Sequence, residues 1–144
     1  MYDIVMNENR SKEDVQVLLE FFPIIQSLLK TRDMLKWCLS VKDFVKTLVI
    51  CAFIKNDLII TTCFTFLSII CNTEEGYNQV IGEFDDFMIF AQEKVRFQSV
   101  INLLNTATHI DVVITILVFF NSLIEKTLSI AQRMAVRVTY CFKL

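Results

Sequence analysis

The chain has 144 residues, with 14 Lys and Arg against 16 Asp and Glu, so it is a single domain (1–144) of nearly neutral charge without a basic arm for nucleic acid. Hydrophobic residues make up 54 % of the sequence, and it contains only two glycines and one proline. So few turn-forming residues exclude an all-β sandwich, which joins about seven strands by sharp turns, and favour an all-α fold.

Helix starts are marked along the chain by residues that cap helices, either a hydroxyl three residues before a carboxylate or an Asn beside an Asp or Thr. These signals are Ser11-x-x-Asp14, Ser40-x-x-Asp43, Asn56-Asp57, Asn72-Thr73 and Thr108-x-x-Asp111. With the apolar periodicity, they predict helices over 12–30, 33–39, 41–54, 57–71, 75–91, 94–105, 110–125 and 129–142. Pro23 lies inside the first of these and removes a backbone hydrogen bond, so we expect a kink or a break near Phe21 and Phe22.

Three segments of the chain end alike, which indicates internal repetition. They are Ile25-Gln26-Ser27-Leu28-Leu29, Phe66-Leu67-Ser68-Ile69-Ile70 and Phe120-Asn121-Ser122-Leu123-Ile124. The first spacing, about 41 residues, falls within the range of armadillo or HEAT repeats. The second, about 54 residues, places an insertion around 76–93.

The segments 57–71 and 110–125 are apolar almost all round, so we expect interior helices flanked on two sides. Thr61, Thr65 and Ser68 form a narrow polar stripe along one edge of the first. Two explanations stay open. The hydroxyls could return hydrogen bonds to backbone carbonyls and permit close helix packing. Alternatively, equivalent helices line the concave surface of a solenoid, and the stripe is where a partner segment lies.

A membrane protein is a less favoured class, although the apolar composition invites it. No charge-free segment reaches the about 20 residues that span a bilayer, and the longest runs only from Leu58 to Thr73. The N-terminus lacks the basic start and apolar run of a signal peptide, which predicts a cytoplasmic, reducing location. The cysteines lie inside apolar runs without Cys-x-x-Cys spacing, so they act as small hydrophobic residues: Cys38, Cys51, Cys63, Cys71 and Cys141.

Catalytic chemistry is not indicated by any motif. The one histidine, His109, lies beside a predicted helix cap, and the sequence contains neither a glycine-rich phosphate loop nor metal ligands at finger spacing. We therefore expect a non-enzymatic protein that uses no cofactor and no metal.

Charges are unevenly distributed along the second half of the chain. Acidic residues occupy 74–93, and after Glu125 the basic residues Lys126, Arg133, Arg137 and Lys143 follow with no acid among them. These stretches are either two solvated faces or an acidic rim that steers a basic partner.

Four segments resemble parts of the regulatory region of diaphanous-related formins. In that family, a helix that follows a glycine is succeeded by a helix with the pattern "E-x-x-RF". Two segments here are similar to these helices: Gly76-Tyr-Asn-Gln-Val-Ile-Gly-Glu-Phe-Asp85 and Glu93-Lys-Val-Arg-Phe-Gln-Ser-Val100. Phe120-Asn121-Ser122-Leu123-Ile124 resembles the family's "h-I-N-A-L-I", and Arg133-Met-Ala-Val136-Arg137 resembles its "R-V-x-h-R" element. The motifs are in the family's order over about residues 13–142.

The resemblance implies an armadillo-like right-handed superhelix, an α-solenoid of about three helical repeats, known as the formin homology 3 or diaphanous inhibitory region. In such formins this domain binds the C-terminal autoregulatory helix of the same protein until a GTP-loaded Rho-type GTPase releases it. It thereby controls actin filament assembly indirectly, through the rest of a larger cytoskeleton-associated protein. The resemblance stops before the family's dimerisation helices and actin-binding domain, so we expect the chain to be a fragment of a larger protein.

Site residues carried over from the family fall in two places. The resemblance assigns GTPase contacts to the turn Lys30, Thr31 and Arg32, where the family has an Asn-rich turn. It assigns the autoregulatory-helix groove to Val118, Phe119, Asn121 and Ser122, with Thr65 and Ser68 from the preceding repeat. Two other hypotheses stay open: a free-standing armadillo-like adaptor for an unrelated partner helix, and a membrane-associated helical protein.

Overall fold

The computed structural model describes residues 12–142, with side chains from 13 to 139, and in that part every regular element is an α-helix. The helices are α1 Lys12–Leu28, α2 Arg32–Ser40, α3 Phe44–Cys51, α4 Asp57–Ile70, α5 Glu74–Phe90, α6 Gln98–Thr106 and α7 Ile110–Phe142. The predicted all-α class is therefore confirmed. The capping signal at Ser11 lies outside the described residues.

Two of the predicted helix starts are confirmed by their cap geometry. Asn56 Oδ1 accepts a hydrogen bond from the amide of Ile59 at 3.1 Å, and α4 begins at the next residue. Thr73 Oγ1 accepts from the amide of Gly76 at 3.1 Å at the start of α5. Each side chain satisfies an amide that has no partner within its helix.

The predicted start at Ser40 is wrong. Its hydroxyl donates to the carbonyl of Trp37 at 2.6 Å, so it closes α2 and does not cap the next helix. Helix α3 begins at Phe44, after Asp43, which adopts a left-handed conformation with φ 62° and makes no side-chain cap bond.

Of the kink or break expected near Phe21 and Phe22, the break is wrong, because α1 runs through Pro23 without interruption. Phe22 and Ile25 on either side are buried in the core, and this packing outweighs the missing backbone hydrogen bond. The helices predicted at 110–125 and 129–142 are one helix, α7. No glycine or proline separates them, and the hydroxyl of Thr127 donates to the carbonyl of Leu123 at 2.7 Å.

The three repeated segments pack side by side through α1, α4 and α7. Phe22 of α1 meets Phe66 of α4 with ring centroids 5.8 Å apart, and Phe64 of α4 meets Phe119 of α7 at 5.3 Å. Further along, Lys126 Nζ donates to the carbonyl of Asn72 at 3.3 Å. Because the contacts advance together along both chains, α4 and α7 run parallel and keep the sequence offset as their packing register. The repeat is thus a structural one.

Helix α5 occupies the predicted insertion and belongs to the core. Its Val80 and Phe84 are buried, and Phe84 packs against Phe119 with ring centroids 5.7 Å apart. Phe97 before α6 joins the same cluster at 5.0 Å from Phe84. Edge-on and tilted aromatic pairs of this kind stabilise a core beyond the area they bury.

The expectation that both repeated interior helices are flanked on two sides is correct for α4 and wrong for α7. Helix α4 is buried on most of its circumference. Helix α7 buries one stripe and leaves the opposite one in solvent, with Ile114, Leu117 and Ile124 exposed by 52 %, 51 % and 58 %. The packed stripe consists of Val112, Ile116, Phe119 and Leu123.

The cysteines whose side chains the structure describes are free and buried, as expected for small hydrophobic residues: Cys38, Cys51, Cys63 and Cys71. Burial raises the pKa of the Cys71 thiol to about 12, so this side chain stays protonated and unreactive at neutral pH. The side chain of Cys141 lies outside the described part.

Candidate functional site: a groove between two repeated helices

An open groove of about 320 Å³ runs between α4 and α7. Its two walls are built on equivalent helices of two repeats. The lining residues are Thr65, Ser68 and Ile69 from α4, Asn72 from the turn after α4, and Ile114, Thr115, Val118 and Ser122 from α7.

The hydroxyl groups in the groove are satisfied by their own helices. Thr65 Oγ1 donates to the carbonyl of Thr61 at 2.7 Å, and Ser68 Oγ donates to that of Phe64 at 2.9 Å. On the other wall, Ser122 Oγ donates to the carbonyl of Val118 at 3.1 Å. The first explanation of the hydroxyl stripe, hydrogen bonding back to the backbone, is therefore confirmed.

Thr115 follows the same pattern, with its hydroxyl donating to the carbonyl of Asp111 at 2.7 Å. With their protons committed, these side chains present methyl groups, Cβ atoms and acceptor lone pairs to the groove. Together with Ile69, Ile114 and Val118 they make a shallow surface of small, mostly apolar groups. Such a surface suits close contact with an apolar helix face and offers no nucleophile.

Four of the six residues predicted for this groove line it: Thr65, Ser68, Val118 and Ser122. Phe119 does not, because its side chain is fully buried among Phe64, Phe84 and Phe97. One residue step along an α-helix turns the side chain by about 100°, which carries position 119 from the groove into the core. The assignment of Phe119 to a partner contact is wrong for this structure.

Asn121 is exposed but does not line the groove, and its carboxamide donates to Glu125 Oε1 at 3.3 Å. The groove residues that sequence reasoning missed are Ile69, Asn72, Ile114 and Thr115. Helical spacing could have found them, because each lies three or four positions from a residue that was assigned.

The two ends of the groove differ in charge. At one end, Asp111 lies in the first turn of α7, one turn before the lining residue Thr115, and its carboxylate also stabilises the helix dipole. At the other end, Lys126 reaches the carbonyl of Asn72, and Arg133 Nη2 forms an ion pair with Glu74 Oε2 at 2.6 Å. The hydrogen bond and the charge of Arg133 hold the pKa of Glu74 below its usual range.

The acidic stretch 74–93 does not line the groove. Besides Glu74, Asp85 accepts two hydrogen bonds from Arg96 at 2.6 and 3.0 Å. The carboxylate of Glu93 accepts from the amide of Ser99 at 3.3 Å and from its hydroxyl. Much of the acidic stretch therefore ties helices together.

The predicted GTPase-contact turn lies in the connection between α1 and α2. Lys30, Thr31 and Arg32 are all exposed, and the Thr31 side chain caps α2 by accepting from the amide of Met34 at 3.3 Å. None of the three lines the groove, so the two predicted sites are separate surfaces.

His109 is exposed, as expected. Its Nδ1 accepts from the amide of Asp111 at 3.3 Å at the start of α7, which is a structural role. Within the described part of the chain, no three His, Cys, Asp or Glu side chains come together as metal ligands.

Helix α7 also bears on the membrane question. Among the described residues, the helical segment Ile110–Thr139 is long and apolar enough, by length and composition alone, to cross a bilayer, and few of its residues are buried.

Neither a family model nor a curated protein matches the chain.

Proposed function

We propose that this chain is a non-enzymatic, protein-binding regulatory domain that takes a partner helix in the groove between α4 and α7. The observation that carries the proposal is that four residues chosen by their resemblance to the formin contact helix line one groove. The contact of α1 with α4 and the parallel packing of α4 with α7 support the armadillo-like superhelix of about three repeats, because equivalent helices stack side by side in solenoids.

The partner proposed for the groove is the C-terminal autoregulatory helix of a diaphanous-related formin. Small side chains in the walls allow its backbone to approach, while Ile69, Ile114 and Val118 receive its apolar residues. Asp111 at one end favours basic residues of the partner there, and Lys126 disfavours them at the other. This charge difference gives the bound helix a preferred direction.

The second proposed partner is a GTP-loaded Rho-type GTPase that binds at the turn Lys30, Thr31 and Arg32. The exposure of this turn and its separation from the groove support a second site that is distinct from the groove. Binding of the GTPase and of the autoregulatory helix would then be coupled negatively, and the coupling is reciprocal. The domain would act in the cytoplasm and control actin filaments through the rest of a larger protein.

The first test is a titration of the purified chain with a Rho-type GTPase loaded either with a non-hydrolysable GTP analogue or with GDP. A parallel titration uses a fluorescent peptide of the formin autoregulatory segment and a scrambled peptide of the same composition. We expect tighter binding of the GTP-analogue form, binding of the native peptide only, and release of that peptide by the GTPase.

An unrelated adaptor is the second candidate, and the same groove favours it because any amphipathic helix with small apolar contacts fits the surface. Binding of other amphipathic helices without any response to the GTPase would support the adaptor. Equal binding of both peptides, or of both nucleotide states, would contradict the formin-type proposal.

A further inference from the structure

A second apolar stripe runs along the outer side of α7, and its members are spaced alternately by four and three residues. They are Ile110, Ile114, Leu117, Asn121, Ile124, Leu128, Ala131, Ala135 and Val138, and all nine are exposed. This spacing is the a/d heptad pattern of a coiled coil, and it continues for about four heptads. We call these nine residues the outer seam.

The outer seam lies opposite the stripe that packs on the core. At about 100° per residue, Ile114, Leu117 and Asn121 project on the far side of the helix from Ile116 and Phe119. Helix α7 therefore has two apolar sides. The core covers one of them along its first half, and the other has no cover in the described part of the chain.

Comparison of the two repeat copies indicates what kind of element covers such a side. In α4, Ile60, Phe64 and Ile70 are buried by the neighbouring helices, α7 among them. Their counterparts in α7 are Ile114 and Val118, which line the groove, and Ile124, which lies outside it; all three stay apolar although they are exposed. Ile114 and Ile124 belong to the outer seam, so Ile114 is shared between the outer seam and the groove. A helix laid along α7 would bury them as the neighbours of α4 bury theirs.

We propose that the outer seam pairs with the outer seam of a second copy of this chain in a parallel, two-stranded coiled coil. The seam holds one polar residue, Asn121, at an a position. In a parallel dimer in register, the two Asn121 side chains face each other and exchange an amide hydrogen bond, which fixes both register and oligomeric state. Because the core stripe of each α7 lies opposite its outer seam, the two domain bodies then lie on opposite sides of the paired helices.

Charges beside the seam agree with pairing of identical helices. The g position before Asn121 is Phe120, which packs on Phe97 and Phe119 of its own domain, and the e position after Asn121 is Glu125. No like charges meet there. Ala131 and Ala135 further along permit a close approach of the two helices.

A bilayer is the other surface that the outer seam could meet, and the residues of α7 disfavour it. Asn121 interrupts the stripe near its middle, and Glu125 and Lys126 lie within the apolar length of α7 that would have to be buried. A span would also have to pull Phe119 out of its aromatic cluster. A coiled coil buries the outer seam and leaves the core of the domain as it is.

The test is the mass of the full chain by sedimentation equilibrium over about 1 to 100 µM, a range that brackets micromolar association. Leu128→Glu removes a seam residue, and Val136→Glu is its matched control, because both side chains are exposed on α7 (57 % and 68 %) and only Leu128 is in the seam. We expect a wild-type dimer, an increase of the dimer Kd by about tenfold or more in Leu128→Glu, and little change in Val136→Glu.

A wild-type chain that stays monomeric throughout overturns the proposal. Equal losses of dimer affinity in both variants also overturn it, because they indicate unspecific adhesion. Binding of the chain to phosphatidylcholine vesicles in place of self-association overturns it too, because it indicates a membrane contact. Circular dichroism shows whether either variant unfolds. Should Leu128→Glu unfold, Ala135→Glu in the same seam replaces it.

Orientation is tested by cross-linking in a Cys141→Ser background with oxidised glutathione. Ile110→Cys lies at the end of the outer seam, so it meets its own copy only in a parallel dimer in register, and Val136→Cys is the off-seam control. We expect a disulfide-linked dimer from the first variant only. Equal linking by both variants, or no link from Ile110→Cys in a chain that sediments as a dimer, contradicts the parallel arrangement.

Discussion

Ser68 and Ser122 lie on the two walls of the same groove, at equivalent positions of α4 and α7, and each donates its hydroxyl hydrogen to the carbonyl four residues earlier. The distances are 2.9 Å to Phe64 and 3.1 Å to Val118. Ser27 in α1 makes the same bond to the carbonyl of Pro23 at 3.0 Å. The repeated serine thus has one local conformation in all three copies. Where two copies stack, it leaves a narrow gap between the helices.

Substitution of Ser122 by Asp is expected to prevent binding of a partner helix without unfolding the domain. Ser122 is partly exposed, so the carboxylate stays hydrated in the free protein, whereas an apolar helix laid over it would bury an unpaired charge. We expect the Kd for the autoregulatory peptide, measured by fluorescence anisotropy, to rise by about tenfold or more. Ser129→Asp, on an exposed part of α7 outside the groove, is the control. Unchanged affinity in a folded Ser122→Asp variant would contradict the groove assignment.

Reversal of charge at Arg32 is expected to weaken the Rho-type GTPase more than the peptide. Arg32 is exposed in the turn after α1 and lies outside the groove. Loss of a charged contact in the rim of an interface acts mainly on the association rate, which stopped-flow mixing measures directly. Lys36→Glu on the exposed side of α2 matches the change in net charge. Equal losses in both variants would indicate unspecific electrostatic attraction, and equal weakening of GTPase and peptide by Arg32→Glu would indicate a shared site.

The two glycines of α5 are expected to respond in opposite directions to replacement by alanine. A Cβ at Gly76 would lie 2.0 Å from the carbonyl oxygen of Ile70, so the turn between α4 and α5 must shift. At Gly82 nothing lies within 4 Å of a Cβ, and alanine is the better helix former. We expect Gly76→Ala to cost about 2 kcal/mol or more and Gly82→Ala to gain about 0.5–1 kcal/mol in the free energy of unfolding in urea. Similar values for both would contradict the close contact at Gly76.

Phe119 is expected to act on stability because its side chain belongs to the core. Phe119→Ala removes a fully buried ring from contact with Phe64 and Phe84 and leaves a cavity, at a cost of about 3–5 kcal/mol. Phe90→Ala provides a control at the end of α5, where the ring is 86 % exposed and a change within about 0.5 kcal/mol is expected. Urea unfolding followed by circular dichroism compares them. A stable Phe119→Ala variant would mean that α7 does not pack as described.

Helix class and helix starts could be predicted where the signal is local. Asn56 and Thr73 each supply a cap within three residues of the amide they satisfy, so no distant contact is needed. Ser40 also precedes a predicted helix, but its hydroxyl can instead donate to a carbonyl of the preceding helix, as it does to that of Trp37. The sequence alone does not show which of these two hydrogen bonds forms. At Pro23 the deciding factor was burial of Phe22 and Ile25, which depends on the tertiary fold.

The groove could be predicted in part because its two walls are formed by helices that correspond in the sequence repeat. Ser68 and Ser122 align in the sequence, and the aligned positions pack together. What the alignment lacks is the rotation of each helix about its axis. That rotation decides that Val118 faces the groove, Phe119 the core and Asn121 the solvent, although the three are near neighbours in sequence.

The ion pair between Glu74 and Arg133 is expected to make the junction of α5 and α7 sensitive to acid. The hydrogen bond and the charge of Arg133 lower the pKa of Glu74 in the folded chain. A carboxyl group with a lowered folded pKa stabilises the fold above its unfolded pKa and loses that contribution as the pH falls through the folded value. Glu74 is fully exposed, so the effect is small and weakens with added salt. Titration of the Glu74 carboxyl by NMR should therefore show a pKa below 4.5 that rises in Arg133→Gln. Arg96→Gln, which breaks the separate pair with Asp85, should leave that titration unchanged. If Glu74 titrates alike in all three proteins, the two helices are not joined by this ion pair in solution.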